Sequence, residues 1–340
     1  MTILVTGGAG FIGTNFVRYW ASRYPDDNII VYDKLTYAGN FENIGDLVEA
    51  GKIQFVKGDI CNKELLDFVV VKYKVDTIVH FAAESHVDRS IDSPGEFIQT
   101  NIVGTWTILE IVRKYDLRFH HISTDEVFGE LPIDNLDIKF KESTPYDPRS
   151  PYSASKASSD HLVRSYVNTY SIKATISNCS NNYGPYCFPE KLIPLVITRA
   201  IYNEKIPVYG DGKQRRDWIY VEDHVRGIDL ILRHGKIGET YLLGGDGERE
   251  NIWIVNKILD ILSKPKDLIV HVGDRKGHDK RYSIDYSKAK VELGFEPSRD
   301  IEDGLKQTVN WYIENREWWE KLKEKADIIA NKYLNTTDKN

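Results

Sequence analysis

Residues 3–33 leave this chain few choices of fold. Ile3-Leu4-Val5 is a short apolar run suited to a buried strand, and Gly7-Gly8-Ala9-Gly10-Phe11-Ile12-Gly13 follows it. A helical pattern then runs through Val17 and Trp20, and a second apolar run over 29–32 ends at Asp33. Gly8, Gly10 and Gly13 fit G-x-G-x-x-G, while Gly7, Gly10 and Gly13 fit G-x-x-G-x-x-G. Glycines so spaced allow a tight turn, close approach of the backbone to a diphosphate, and a helix packed closely on its strand. The helix start offers an anion free N–H groups and the positive end of the peptide dipole. An acid about 20 residues past the last glycine accepts from a ribose 2′-OH. Asp33 stands there and opposes a 2′-phosphate, which predicts NAD rather than NADP. The adjacent Lys34 tempers that preference.

The alternation continues. Strands are predicted over 53–56, 77–81, 119–122 and 174–178, and helices over 65–71, 95–115 and 151–170, which argues for a parallel sheet covered on both faces. From about Tyr183 proline, glycine and aromatic residues become more frequent and strands shorter, with helices predicted over 189–203, 221–234, 252–262 and 301–323. Trp311, Trp318 and Trp319 are expected to dock the last of these. The fold class is therefore α/β: a Rossmann-type doubly wound parallel sheet with a smaller C-terminal α/β substrate-binding region. The expected division is 1–182 for the NAD-binding domain, which also carries the catalytic residues. Residues 183–330 are predominantly substrate-binding, with excursions back to the sheet, and 331–340 form a polar tail.

Bulk properties exclude several classes of function. With a net charge of −6 and no basic stripe, neither nucleic acid nor an anionic membrane is an expected partner. Cys61, Cys179 and Cys187 form no C-x-x-C pair, which suits a reducing, cytoplasmic setting without a disulfide frame. The strand pattern beginning at Thr2 leaves no room for a signal peptide. The most apolar run, 193–201, is too short to span a bilayer. The nine histidines show no metal-binding spacing, and no metal is expected.

In such sheets ligands sit outside the carboxyl ends of the strands. Ser123-Thr124-Asp125-Glu126 follows a predicted strand there, and two acids sharing a site can be driven to different protonation states. Ser150-Pro151 reads as a helix start. It places Tyr152 and Lys156 four apart on one face, where an ammonium favours the phenolate and makes Tyr152 a proton acceptor. Singly, these are a surface pair on an ordinary helix and a solvated turn. Together with the glycine loop they read as one site.

The motifs TGGAGFIG from Thr6, DKLTYAGN from Asp33, GDI from Gly58, HFAAESHVDRS from His80, STDEVFG from Ser123 and SPYSASK from Ser150 carry a resemblance over nearly the whole chain. NNYGPY from Asn181, PEKLIPL from Pro189, RDWIYVEDH from Arg216 and DRKGHDKRY from Asp274 extend it. The chain resembles the extended short-chain dehydrogenase/reductases and, within them, the branch that dehydrates dTDP-glucose. That resemblance implies a homodimeric enzyme in which NAD oxidises C4 of the glucosyl unit and returns the hydride to C6. It implies Tyr152, aided by Lys156, as the base for the O4 proton, Thr124 as its orienting hydroxyl, Glu126 as the base at C5 and Asp125 as the acid for the C6 hydroxyl. The implied NAD shell is Gly7, Gly10, Phe11, Ile12, Gly13, Asp33, Lys34, Leu35, Thr36, Asp59, Ile60, Phe81, Ala82, Ala83, Glu84, Ser85, Thr100, Tyr152, Lys156 and Asn182. The implied substrate shell is Ser85, Thr124, Asn181, Lys191, Leu192, Pro207, Val208, Tyr209, Arg216, Asn251, Asp274, Arg275, Lys276, Gly277 and His278, with Lys191, Arg216 and Arg275 as cations for the diphosphate. Phe128 and Cys187 depart from the residues common in that branch.

Three rivals are distinguishable. A 4-epimerase needs no acid pair at Asp125 and Glu126. A GDP-mannose 4,6-dehydratase is expected to carry a hydroxyl in place of Asp125 and an NADP-suited pocket. A non-enzymatic dinucleotide sensor has no need of Tyr152, Lys156 or the acids.

Overall fold

The computed structural model describes residues 1–275 and 277–337. Seven strands form one sheet: β1 (Thr2–Thr6), β2 (Asn28–Asp33), β3 (Gln54–Lys57), β4 (Thr77–His80), β5 (Arg118–Thr124), β6 (Lys173–Cys179) and β7 (Thr240–Leu243). Their spatial order is 7-6-5-4-1-2-3, and every pairing is parallel. The order reverses at β1, so the chain departs in opposite directions from β1 and β4 and leaves a crevice at their carboxyl ends.

Helices cover both faces, which is why the central strands are apolar almost throughout. Phe11–Arg23 and Val221–His234 close one face around Phe16, Trp20, Ile228 and Ile231. Lys63–Tyr73, Thr105–Tyr115 and Pro151–Tyr170 close the other around Leu66, Ile108, Phe119 and Val163. A separate apolar cluster joins Leu192–Ile201, Asn251–Ile261 and Ile301–Glu314 through Val196, Ile254 and Leu305, with Trp319 fully buried among them. Two short parallel pairs, Asn181–Tyr183 with Trp218–Tyr220 and Ile206–Tyr209 with Ile269–Val272, bridge this cluster to the crevice. Among the described residues no helix is long and apolar enough to cross a membrane.

Three helices differ from the sequence expectation. The 95–115 segment is α-helical over Pro94–Phe97 and Thr105–Tyr115, with a π-helical turn at Ile98–Gly104 between them. In that turn Asn101 exchanges hydrogen bonds with the backbone of Glu84 and donates to Ser155 Oγ at 2.8 Å. The helix expected from 189 begins only at Leu192, because Lys191 is extended (ψ 154°) and its ammonium reaches the Ser85 carbonyl at 2.9 Å. The 301–323 helix breaks at Asn315, whose side chain caps the Trp311 carbonyl at 2.8 Å. A second helix, Arg316–Thr337, then runs well into the expected polar tail, of which residues 338–340 lie outside the described chain.

The helix Pro151–Tyr170 has the predicted bounds. Ser150 Oγ accepts from the Ser153 N–H at 3.1 Å, and Ser153 Oγ accepts from the Ser150 N–H at 3.0 Å. This reciprocal cap satisfies donors that the helix start leaves unpaired. Ser150→Ala is expected to cost about 1 kcal/mol, read as a lower urea midpoint with unchanged slope. An unchanged midpoint would show that the cap does not hold this helix.

Candidate active site

One cavity of about 740 Å³ opens at the carboxyl ends of β1, β2, β4, β5 and β6. Its dinucleotide arm is made by backbone rather than by side chains. Gly7 has φ +71°, and a Cβ there would lie 2.5 Å from the Ala82 nitrogen. A Cβ on Gly13 would lie 2.2 Å from the Gly7 carbonyl oxygen. Gly10 starts the helix Phe11–Arg23 without any side-chain cap, so its first N–H groups face the cavity unclaimed by the protein. Asp33 is held by the N–H groups of Ala9 at 3.0 Å and Leu35 at 2.8 Å, and burial pushes its carboxyl up. Lys34 turns away to Asp59 at 2.7 Å, so its charge is compensated and does not offset Asp33.

Several buried polar atoms on cavity-lining residues have no protein partner: Glu84 Oε2, Asn181 Oδ1, Glu190 Oε1, Gln214 Oε1, Trp218 Nε1 and Asn251 Oδ1. Such groups in a folded protein await a ligand or water. With the glycine cradle and the uncapped helix, the residues present fit NAD in one arm and a polar second ligand in the other.

The candidate reactive groups converge from two elements. β5 ends at Thr124, and a 3-10 turn, Asp125–Phe128, follows. Thr124 Oγ accepts from the Glu126 N–H at 3.3 Å and donates to Asp125 Oδ1 at 3.2 Å. The Asn178 amide donates to the Thr124 carbonyl at 2.9 Å. Tyr152 and Lys156 come from the first two turns of Pro151–Tyr170 and line the same wall as Thr124 and Glu126. Asp125 lies behind that wall rather than in it, at 1% exposure, with Oδ2 unpartnered. The turn that aims Glu126 at the cavity folds its neighbour inward.

The two acids are unequally placed. Burial, then the adjacent Glu126 charge and Asp217, drive the Asp125 carboxyl well above its ordinary range. Burial also raises Glu126, but Arg216, Lys191 and Arg275 pull it back. Asp125 is the group that keeps its proton. The expectation that the ammonium alone favours phenolate needs correction. Lys156 Nζ donates to the Ile122 carbonyl at 2.7 Å, while burial and the Glu126 charge hold the Tyr152 phenol well above its usual value.

Most other expected residues meet at this cavity: Phe11, Ile12, Thr36, Ile60, Phe81, Ala82, Ala83, Ser85, Thr100 and Asn182 on the dinucleotide side, and Lys191, Leu192, Pro207, Val208, Tyr209, Arg216, Gly277 and His278 on the other. Leu35 and Asp274 do not reach it. The Leu35 side chain packs into the apolar core, leaving its N–H for Asp33. Asp274 instead holds His278 Nδ1 at 2.7 Å and the Arg275 N–H at 2.8 Å. Lys276 lies outside the described residues. Arg275 lines the cavity but is already bidentate to Asp88 at 3.0 and 2.7 Å, so it brings a compensated charge. Sequence reasoning missed Tyr37, His86, Arg89, Glu190 and Gln214, all in the wall. The first four sit inside quoted motifs, yet no spacing rule marks them.

A family model described as GDP-mannose 4,6 dehydratase matches residues 4–308. The chain is 48% identical to the dTDP-glucose 4,6-dehydratase of Salmonella typhimurium over 96% of each chain. Its structure superposes with a TM-score of 0.91 on the dTDP-glucose 4,6-dehydratase of Streptomyces venezuelae solved with NAD and TYD bound, at 47% identity over 95% of this chain and 100% of that one. A UDP-glucose 4-epimerase from Thermotoga maritima matches at TM-score 0.85 and 29% identity, over 93% of this chain and 100% of that one.

Gly13→Ala tests the cradle directly. NAD affinity is expected to fall roughly tenfold or more, equivalent to about 1.4 kcal/mol or more, in an equilibrium titration. A variant that folds and binds NAD unchanged would show that the loop does not carry the dinucleotide.

Proposed function

The chain belongs to the dTDP-glucose 4,6-dehydratase family, and on that premise we propose how its own residues convert dTDP-glucose to dTDP-4-keto-6-deoxyglucose and water. The carrying observation is that Thr124, Glu126, Tyr152 and Lys156 share one cavity wall, with Asp125 buried immediately behind it. Bound NAD supplies the oxidant for C4 and, once reduced, the reductant for C6, so it is regenerated in each turnover. Gly7, Gly10, Gly13 and Asp33 hold it, with Asp59, Ile60 and the 81–85 segment.

Tyr152 takes the proton from O4, and the Thr124 hydroxyl orients that oxygen. Lys156 stabilises the phenolate charge that Tyr152 carries before it takes that proton, and the arriving proton discharges it. A ketone at C4 acidifies the neighbouring C5–H. Glu126, the acid restrained by three cations, removes that proton and returns a proton to C5 when the hydride reaches C6. Asp125 gives its proton to the departing C6 hydroxyl, which requires its side chain to turn from behind the wall into the cavity; its unpartnered Oδ2 has no competing protein bond to hold it back. Lys191 and Arg216 face the substrate arm and neutralise a nucleotide diphosphate, and Asn181 and Asn251 offer unpartnered amide oxygens to the substrate's hydroxyl or N–H groups. An epimerase would need Tyr152 and Lys156 but would leave the acid pair without a task.

The division of labour follows the chain: 1–182 hold NAD and the reacting groups, and 183–330 mainly hold the nucleotide sugar. A homodimer is proposed from the exposed apolar side chains Ile98 (54%), Trp106 (45%) and Tyr170 (46%) on the helices flanking the site. A cytoplasmic location is proposed from the three free thiols.

Both acids act through shifted protonation, so kcat/KM is expected to be bell-shaped in pH. Glu126 must be charged, and activity falls as pH drops through its raised value. Asp125 must be protonated, and activity falls as pH rises through its own raised value. Glu126→Gln is expected to permit C4 oxidation, seen as reduced-nicotinamide absorbance, while blocking water loss. Unaltered product formation would refute its role. The whole reading is checked with dTDP-glucose deuterated at C4. The label is expected at C6 of the product, and label found in solvent or still at C4 would sink it.

A further inference from the structure

Asp160 has no part in the scheme above, yet its side chain is fully buried. It lies one turn past Lys156 on the helix Pro151–Tyr170, so Tyr152, Lys156 and Asp160 share one helix face. Asp160 Oδ2 accepts from Ser123 Oγ at 2.8 Å, the Tyr146 hydroxyl at 2.8 Å and the Asn178 amide at 3.2 Å. His121 Nε2 stands 3.2 Å from Oδ1. Three donors on one carboxylate favour its charged form.

The neighbouring ammonium presents the complementary problem. Lys156 is buried, and its hydrogen bond goes to a neutral acceptor, the Ile122 carbonyl. A charge taken out of water needs a partner of opposite sign. The titratable groups facing Lys156 are Asp160 on its own helix, Cys179 on β6, His121 on β5 and His80 on β4. Burial pushes the Cys179 thiol up to about 12 and His121 down to about 4, and drives His80 well below its usual range, so these three are neutral near pH 7. Facing Asp160 are His121, Lys156 and Tyr146, while Arg164 donates to the Tyr146 hydroxyl at 2.7 Å and to Thr240 Oγ1 at 3.3 Å. The anchors are also adjacent in the chain. Lys156 holds residue 122 of β5 and Asp160 holds residue 123, directly before Thr124.

We propose that Asp160 is a positioning residue whose carboxylate is the countercharge that keeps Lys156 an ammonium, seated on β5 beside Tyr152. This rests on the reading of Lys156 as the partner of Tyr152. It extends the Tyr-x-x-x-Lys pair to a third member, Asp160, that touches neither the cavity nor the substrate.

The first test is the pH profile of the C4 oxidation rate, read as reduced-nicotinamide absorbance after mixing with dTDP-glucose, in Glu126→Gln with and without Asp160→Asn, because that step precedes any proton transfer by Asp125. Lys156 must be charged, and its ammonium is lost as pH rises through its pKa. Removing the countercharge lowers that pKa, so the alkaline limb is expected to move acidward by about one pH unit or more. A purely structural role would lower that rate by one factor at every pH and leave the limb in place, and that result overturns the proposal. The second test reads stability alone, by urea unfolding of Asp160→Asn, Lys156→Met and the double variant. Each single change strands a buried charge, so the double variant is expected to be more stable than the sum of the two losses. Additive losses overturn the proposal. Should Asp160→Asn alone fail to fold, recovery of folded protein in the double variant supports the pairing, and no recovery overturns it. Should the parent enzyme fail to turn over dTDP-glucose, the proposed activity falls, while the unfolding cycle still decides the charge pair.

Discussion

The carbonyl groups at the end of β5 are claimed by side chains from neighbouring elements: Ile122 accepts from Lys156 and Thr124 from Asn178. A parallel strand normally ends where its neighbours end, and its last residues drift with the following loop. Here β5 is pinned from α-helix and sheet at once, and the turn after it has one orientation. That single anchoring places the Thr124 hydroxyl, turns Glu126 outward and sends Asp125 inward. The position of every reacting atom contributed by β5 depends on it.

Water exclusion gives the site its electrostatic character. Two adjacent carboxyls in solution would both be charged at neutral pH. In this wall burial is the first cause of shift for both, and their neighbourhoods then separate them. Glu126 faces Arg216, Lys191 and Arg275, whereas Asp125 faces Glu126 and Asp217 as well as Arg216. The same desolvation makes the buried Lys156 dependent on the charges within its reach. A low-dielectric pocket amplifies each of these small differences in placement.

Much of this architecture was legible in the chain. The glycine run, the apolar strand on each side and Asp33 imply a tight backbone turn, and the structure shows that turn with Gly7 at positive φ. Ser150 and Pro151 state where a helix starts, and it starts there. Periodicity does not state how a helix is wound: the π-helical turn at Ile98–Gly104 exists because Asn101 engages Glu84 and Ser155, contacts remote in sequence. The break at Asn315 is a local capping event that an apolar repeat passes over. Side-chain direction was equally hidden. Neither the motif around Thr124 nor its spacing reveals that Asp125 points inward, or that Arg275 is committed to Asp88. Glu190 and His86 escaped notice because their value comes from the cavity they face, which no linear pattern describes.

The helix Arg316–Thr337 contributes Ala330 to the cavity wall and ties Lys332 to Asp92 at 3.0 Å. This part of the wall thus comes from a segment far beyond Thr240–Leu243, the last strand of the sheet. A chain cut back before this helix would keep the sheet and the dinucleotide cradle yet lose that part of the cavity wall and the tie to Asp92.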